Sequence, residues 1–286
     1  MPITPQEALY GLATPLLVAA VCYWIASRFL SEKIRERWPA SLALVVGFAA
    51  GSALMNLAPW QPTQHWHWMP YALALAALVG SISAAEGVSL LERALLYGAT
   101  AWVIAWFVAP TYDDLEPSRM SLLIGWPIYV MLIALAIDLL ARRLTGPLLP
   151  AVVAASIAAG VLIVFLSGTA TLMQIEAIGM AAAVGIALVA TFFKDKPTFA
   201  GAALPATVLS AGYLLVAKSQ SFSDVPLLAY ALPPLAPLAL WLSQAKPIAD
   251  RPGFVGVLLR ILVPAIVCGV AVGLAIWAEW DSLSEL

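Results

Sequence analysis

Ten apolar stretches, separated by short runs of charged and turn-forming residues, make up most of the chain. They are Ala8–Leu30, Ser41–Ala58, Tyr71–Glu86, Glu92–Val108, Arg119–Ala141, Pro147–Gly168, Thr171–Phe193, Thr198–Ala217, Val225–Leu242 and Phe254–Trp277. At about 1.5 Å of rise per residue, a stretch of about 20 residues covers roughly 30 Å as a helix, the thickness of a bilayer's hydrocarbon core. A membrane barrel would instead alternate apolar and polar positions. Ala151–Leu166 is apolar throughout except for one Ser and one Gly. In lipid such a run satisfies its own backbone hydrogen bonds only as a helix. The pattern predicts an all-α integral membrane protein of about ten transmembrane helices, a single domain over residues 1–286 with no soluble part. Two neighbouring pairs, the third with the fourth and the sixth with the seventh, are predicted to form tight hairpins.

Composition strengthens this reading. Hydrophobic residues make up 63% of the 286, and charged residues 10%. Soluble domains are nearer 45–50% apolar and about 25% charged, and need those charges to cover their surface. The net charge of −2 leaves no basic face for nucleic acid. Cys22 and Cys268, the two cysteines, lie in apolar stretches far apart in sequence and form neither a zinc motif nor a disulfide framework. The single Asn, Asn56, is followed by Leu57 and Ala58, so it is no glycosylation acceptor. No Lys or Arg precedes Arg28, which predicts an uncleaved first anchor with an exported N-terminus.

The basic residues predict an orientation. With the N-terminus outside, the inner loops and inner helix ends hold Arg28, Lys33, Arg35, Arg37, Arg93, Arg142, Arg143, Lys194, Lys196, Lys246, Arg251 and Arg260. The outer side holds Arg119 and Lys218. That asymmetry fits the positive-inside rule. Both termini are expected on the outer, periplasmic side of a bacterial plasma (inner) membrane. Trp60, Trp66, Trp68, Trp102, Trp106, Trp126, Trp277 and Trp280 fall towards outer ends, and Trp24, Trp38 and Trp241 towards inner ends, as interfacial anchors do.

Chemistry-bearing motifs are scarce. Nucleotide-binding GxxxxGK[ST], hydrolase GxSxG, and metal or redox HExxH and CxxC patterns are missing from the sequence. No enzyme activity, cofactor or metal is expected. His65 and His67 form an HxH pair in an outer loop, where Asp113, Asp114 and Glu116 could add ligands only if their loop folded against it. Four charges sit in or beside the apolar stretches. Glu86 is expected to pair with Arg93. Asp138 is one turn from Arg142. Arg260 can reach the inner interface. Glu176, two residues after Gln174, lies one turn into its stretch.

Prolines carry the functional expectation. The ninth stretch contains Pro233, Pro234 and Pro237 near its centre. Each removes a backbone donor and forces a kink, freeing carbonyls that lipid cannot solvate. Broken helices of this kind form binding sites in carriers. Pro205 and Pro264 are expected to add kinks nearby. Gly47–Gly51 and Gly269–Gly273 are GxxxG pairs, read as sites of close intramolecular packing. Stretches three and four weakly echo nine and ten. The leading expectation is a permease-like carrier for a small, neutral or weakly polar solute. Its site would comprise Tyr230, Pro233, Pro234 and Pro237, with Gln174 and Glu176 at the outer mouth and Tyr230 as hydroxyl partner for the freed carbonyls. The alternative is a non-catalytic subunit or scaffold with membrane-protein partners. In either case the bilayer itself is a partner.

Overall fold

The computed structural model describes residues 4–57, 59–112, 115, 117–194, 196, 198–221, 223–245 and 253–280, without the side chains of Lys33 and Phe254. Among these residues the regular structure is helical, with no strand. The helices are α1 (Pro5–Phe29, with a π-helical turn at Leu9–Ala13), α2 (Pro39–Leu54), α3 (Met69–Ser83), α4 (Leu90–Val108) and α5 (Arg119–Ala141). They continue with α6 (Leu148–Leu166), α7 (Ala170–Ala190), α8 (Ala203–Gln220), α9 (Leu227–Ala231) and α10 (Gly253–Ala278). A 3-10 segment, Pro233–Gln244, follows α9.

Six helices are long and apolar enough to cross a membrane: α1, α4, α5, α6, α7 and α10. The chain is a helical membrane protein. The other four expected spans are helical too, but differ for identifiable reasons. α2 and α3 have 16 and 15 residues. α9 breaks at its prolines. α8 is the central helix: every residue from Ala203 to Ala217 is buried, and it packs on α2 to α7 and on the 3-10 segment. A helix that never meets lipid needs no apolar envelope, which is why α8 can carry Thr207 and Ser210 in its middle. Their hydroxyls bond back to the carbonyls of Ala203 and Thr207.

Local sequence sets the helix ends. Ser89 Oγ accepts the N–H of Glu92 at 3.2 Å while Glu92 Oε2 accepts that of Ser89 at 2.7 Å, a capping box that starts α4. α3 stops at Ser83, so Glu86 lies in the turn between the helices. Ser167–Thr169 joins α6 to α7 with Gly168 at φ +80°, a conformation glycine adopts without strain. Both hairpins are therefore present. Pro205 falls in the first turn of α8, where its missing N–H is not needed, and produces no kink. The echo between stretches three–four and nine–ten does not extend to structure, since α3 is continuous and α9 is not.

Around α8, α1 packs with α2 and α7, α6 with α7, α4 with α5, and α10 with α6 and the 3-10 segment. Gly47 and Gly51 face α1 and α7: a Cβ at Gly47 would lie 2.8 Å from both Ala19 Cβ and Pro15 O. Gly269 and Gly273 have open space where a Cβ would go. The outer surface is apolar, with Leu17, Leu91, Leu95, Leu132, Phe165 and Ile266 exposed.

Polar contacts gather the loops at two ends. At one, Tyr23 donates to Thr198 O, Thr198 to Gly146 O, and Arg142 to Ala84 O. There Gly201 sits so close to Arg37 O that a side chain would collide. At the other, Gln174 Nε2 donates to Glu7 Oε1, the His65 ring meets Tyr112 edge-on, and Ser221 Oγ donates to Ser167 O.

Candidate functional site

The site grows from the break in the ninth apolar stretch. Pro233 and Pro234 have no N–H to offer the carbonyls of Ala229 and Tyr230, one turn earlier. The chain tightens into the 3-10 segment, where Leu235 N donates to Leu232 O at 3.0 Å instead of to Ala231 O. The carbonyl of Ala231 is taken by the Tyr129 hydroxyl of α5. Pro237 removes the α-helical donor of the Pro233 carbonyl, which in the 3-10 segment also accepts the hydroxyl of Ser156 of α6. Pro233, Pro234 and Pro237 are buried. The break faces the bundle interior, and hydroxyls from two neighbouring helices reach two of its carbonyls, those of Ala231 and Pro233. Tyr230 does not serve them. Its own hydroxyl is buried without a hydrogen-bond partner, and its ring lies 5.9 Å from Lys218 Nζ.

Beside the break runs a cleft of about 220 Å³ between the first half of α5, the second half of α8, and α9. Gly125, Trp126 and Tyr129 form one wall, Ala211 and Leu214 another, and Tyr230 a third. Its lining is almost entirely apolar. Trp126 is 6% exposed and donates Nε1–H to Ala211 O at 3.2 Å. It is thus a wall of the bundle and not the interfacial anchor the sequence predicts.

Of the six expected site residues, Tyr230 borders this cleft. Pro233, Pro234 and Pro237 lie deeper, packed against α6. Gln174 ties the start of α7 to the start of α1 through Glu7. Glu176 is 0% exposed, and neither carboxylate oxygen has a hydrogen-bond partner. It lies between α6 and α8: a Cβ at Gly160 would collide with Glu176 Oε1 and lie 3.3 Å from Leu214 Cδ2. The cleft and the carboxyl are therefore separate features; Leu214 lines the cleft and also approaches Gly160, beside the carboxyl.

The remaining charges are largely structural. Arg93 does not pair with Glu86. It turns into the bundle, and its Nη1 reaches Asp138 Oδ2 at 2.9 Å while Nη2 donates to Val88 O. The turn that holds Glu86 places it outside the helix, whereas Arg93 starts α4 facing α5. Asp138 also meets Arg142 Nε at 3.3 Å, the pair one turn apart. At the opposite end, His67 Nδ1 accepts the N–H groups of Thr63 and Gln64, both at 3.2 Å. Burial pushes this imidazole below its ordinary 6.5. Among the described residues no three His, Cys, Asp or Glu side chains gather as a metal would need. Asp113, Asp114 and Glu116 lie outside the described residues.

The hydroxyl donors Tyr129 and Ser156 were the residues sequence reasoning missed. Ser156 had a signal, as the lone hydroxyl in the apolar run Ala151–Leu166. No protein-family model matches the chain, and comparison with curated proteins finds no match.

Proposed function

We propose that the chain is a permease-like carrier for a small, weakly polar solute, with the cleft beside α9 as its binding site. The observation that carries this is the Tyr230 hydroxyl. It is a buried donor and acceptor with no partner, on a side chain bordering an apolar cleft. Small-molecule sites combine apolar walls with few polar groups in this way. A space of about 220 Å³ suits a solute smaller than a drug molecule. Thermal unfolding of the purified protein against a panel of neutral amino acids, amides and short alcohols tests the reading. A solute that raises the midpoint should lose its effect in Gly125→Leu, which fills the cleft where nothing lies within 4 Å of a new Cβ. Stabilisation unchanged in that variant would refute the cleft as the site.

A second reading, a non-catalytic subunit or scaffold, draws on the filled interior around Pro233. There Ser156 Oγ donates to the Pro233 carbonyl, as expected of a break that serves packing. Copurification from native membranes separates the two: a stable stoichiometric partner favours the scaffold.

For the topology we propose ten crossings of a bacterial plasma membrane with both termini outside. Two observations support it. Loops following α1, α3, α5 and α7 meet at one end and those following α2, α4, α6 and α8 at the other. The first set holds Lys33, Arg35, Arg37, Arg142, Arg143, Lys194 and Lys196, and the second set holds no Lys or Arg. Reporter fusions after Pro62, Leu115, Asp195 and Asp250 should read outside, outside, inside and inside; a cytoplasmic C-terminus would overturn the arrangement.

A further inference from the structure

Glu176 is a buried polar group that the packing leaves unanswered. It sits about 9 Å along α7, counting six residues of helical rise from Ala170. No residue of α2 or α6, two of the helices packed against α7, is ionisable. α1 brings Glu7, which is tied to Gln174, and Tyr10 to the same end. α8 brings Tyr213 and Lys218, the latter engaged with Val225 O. No cation reaches Glu176 within ion-pair distance among the described residues. A bare charge at such a place costs several kcal/mol. The carboxyl must be neutralised by something that comes and goes, or stay neutral.

The candidates are a metal cation and a proton. A hard cation takes six or more oxygen ligands, or keeps water in their place. Glu176 offers two oxygens, neither within hydrogen-bonding distance of another polar atom. A proton needs nothing more than the carboxyl. The route is set by Leu214, which lines the cleft on one side and reaches towards Gly160 and the carboxyl on the other. Gly160 makes room there, because a Cβ would take the place of Glu176 Oε1 and the carboxyl would have to shift.

We infer that Glu176 is a proton-binding site, exchanging with the cleft when the Leu214 side chain swings aside. This deepens the carrier reading, on which it rests for its purpose: the proton would be the ion coupled to the solute. The site itself is testable without any solute.

The test is labelling of the purified protein in lipid nanodiscs with dicyclohexylcarbodiimide, read by peptide mass spectrometry. This reagent adds to a carboxylic acid in apolar surroundings and not to the carboxylate. Expected is an adduct on the Glu176 peptide, formed more slowly as pH rises and missing in Glu176→Gln. Leu214→Ala, and the milder Leu214→Val, should speed labelling several-fold by widening the route. No adduct at Glu176, a rate indifferent to pH, or a rate indifferent to both Leu214 substitutions would overturn the inference. Because labelling reads the proton and not the solute, a protein that labels at Glu176 but binds nothing in the cleft would lose the carrier reading alone.

Discussion

Replacing Asp138 with Ala should be among the most damaging single changes in the protein, and the structure says where the cost comes from. Asp138 is 1% exposed and takes two guanidinium groups on one oxygen, at 2.9 Å from Arg93 and 3.3 Å from Arg142. The two are not equivalent. The Arg93 side chain is 9% exposed, whereas that of Arg142 is 36% exposed. A half-solvated pair like the second contributes about 0–1 kcal/mol. Stripping the partner from a buried charge costs about 3–5 kcal/mol, because the orphaned ion cannot return to water. Asp138→Ala should therefore cost about 3–5 kcal/mol and Arg142→Ala about 0–1 kcal/mol. The double change Arg93→Leu with Asp138→Leu removes both ions and should recover most of the loss. Reversible unfolding by sodium dodecyl sulfate in mixed micelles, followed by circular dichroism, would measure all three. Equal losses for Asp138→Ala and Arg142→Ala, or no recovery in the double variant, would refute the view that Arg93–Asp138 is the buried pair.

Tyr129→Phe leaves the Ala231 carbonyl unanswered and should cost about 1–3 kcal/mol in the same assay, whereas Ser156→Ala takes one of two donors from the Pro233 carbonyl and should cost about 0.5–1.5 kcal/mol. A loss below about 0.5 kcal/mol in both would mean that the freed carbonyls find other donors. For His67, the fold favours the neutral imidazole, since a proton on Nδ1 would face two N–H donors. Its folded value lies below 6.5, so its contribution is present above 6.5 and is lost as pH falls through the lower folded value. Nitrogen-15 NMR of the histidine ring should show that titration below 6.5; a midpoint above it would contradict the hydrogen-bond pattern.

The helical membrane class was legible because it depends on composition and run length alone. The ten apolar stretches all became helices, but six reach the length and hydropathy of a membrane crossing. α8 shows why the others were harder to judge. Its sequence is polar for a span because its neighbours, and not lipid, surround it. Likewise the proline break was legible at Pro233, since the missing N–H is a property of the residue. Its consequences were not. Which hydroxyl answers which carbonyl depends on how α5 and α6 pack, and no local pattern encodes that. Arg93 illustrates the same limit: Glu86 is nearer in sequence, yet the register of α4 against α5 delivers Asp138. The cleft was half legible. Tyr230, which borders it, was singled out through its neighbouring prolines, while Gly125, Trp126 and Leu214 lie on helices with no distinguishing motif.

Whether water reaches the cleft is the measurement that bears most directly on the carrier account. With Cys22 and Cys268 replaced by Ala, a single cysteine is placed at Gly125, in the cleft wall, or at Leu132, on the exposed apolar face of α5. A charged, membrane-impermeant thiosulfonate is then added to the outer side of intact cells. The account predicts rapid modification of Gly125→Cys and none of Leu132→Cys. Gly125→Cys as inert as Leu132→Cys would show the cleft to be closed or filled with lipid, and would contradict a solute site there.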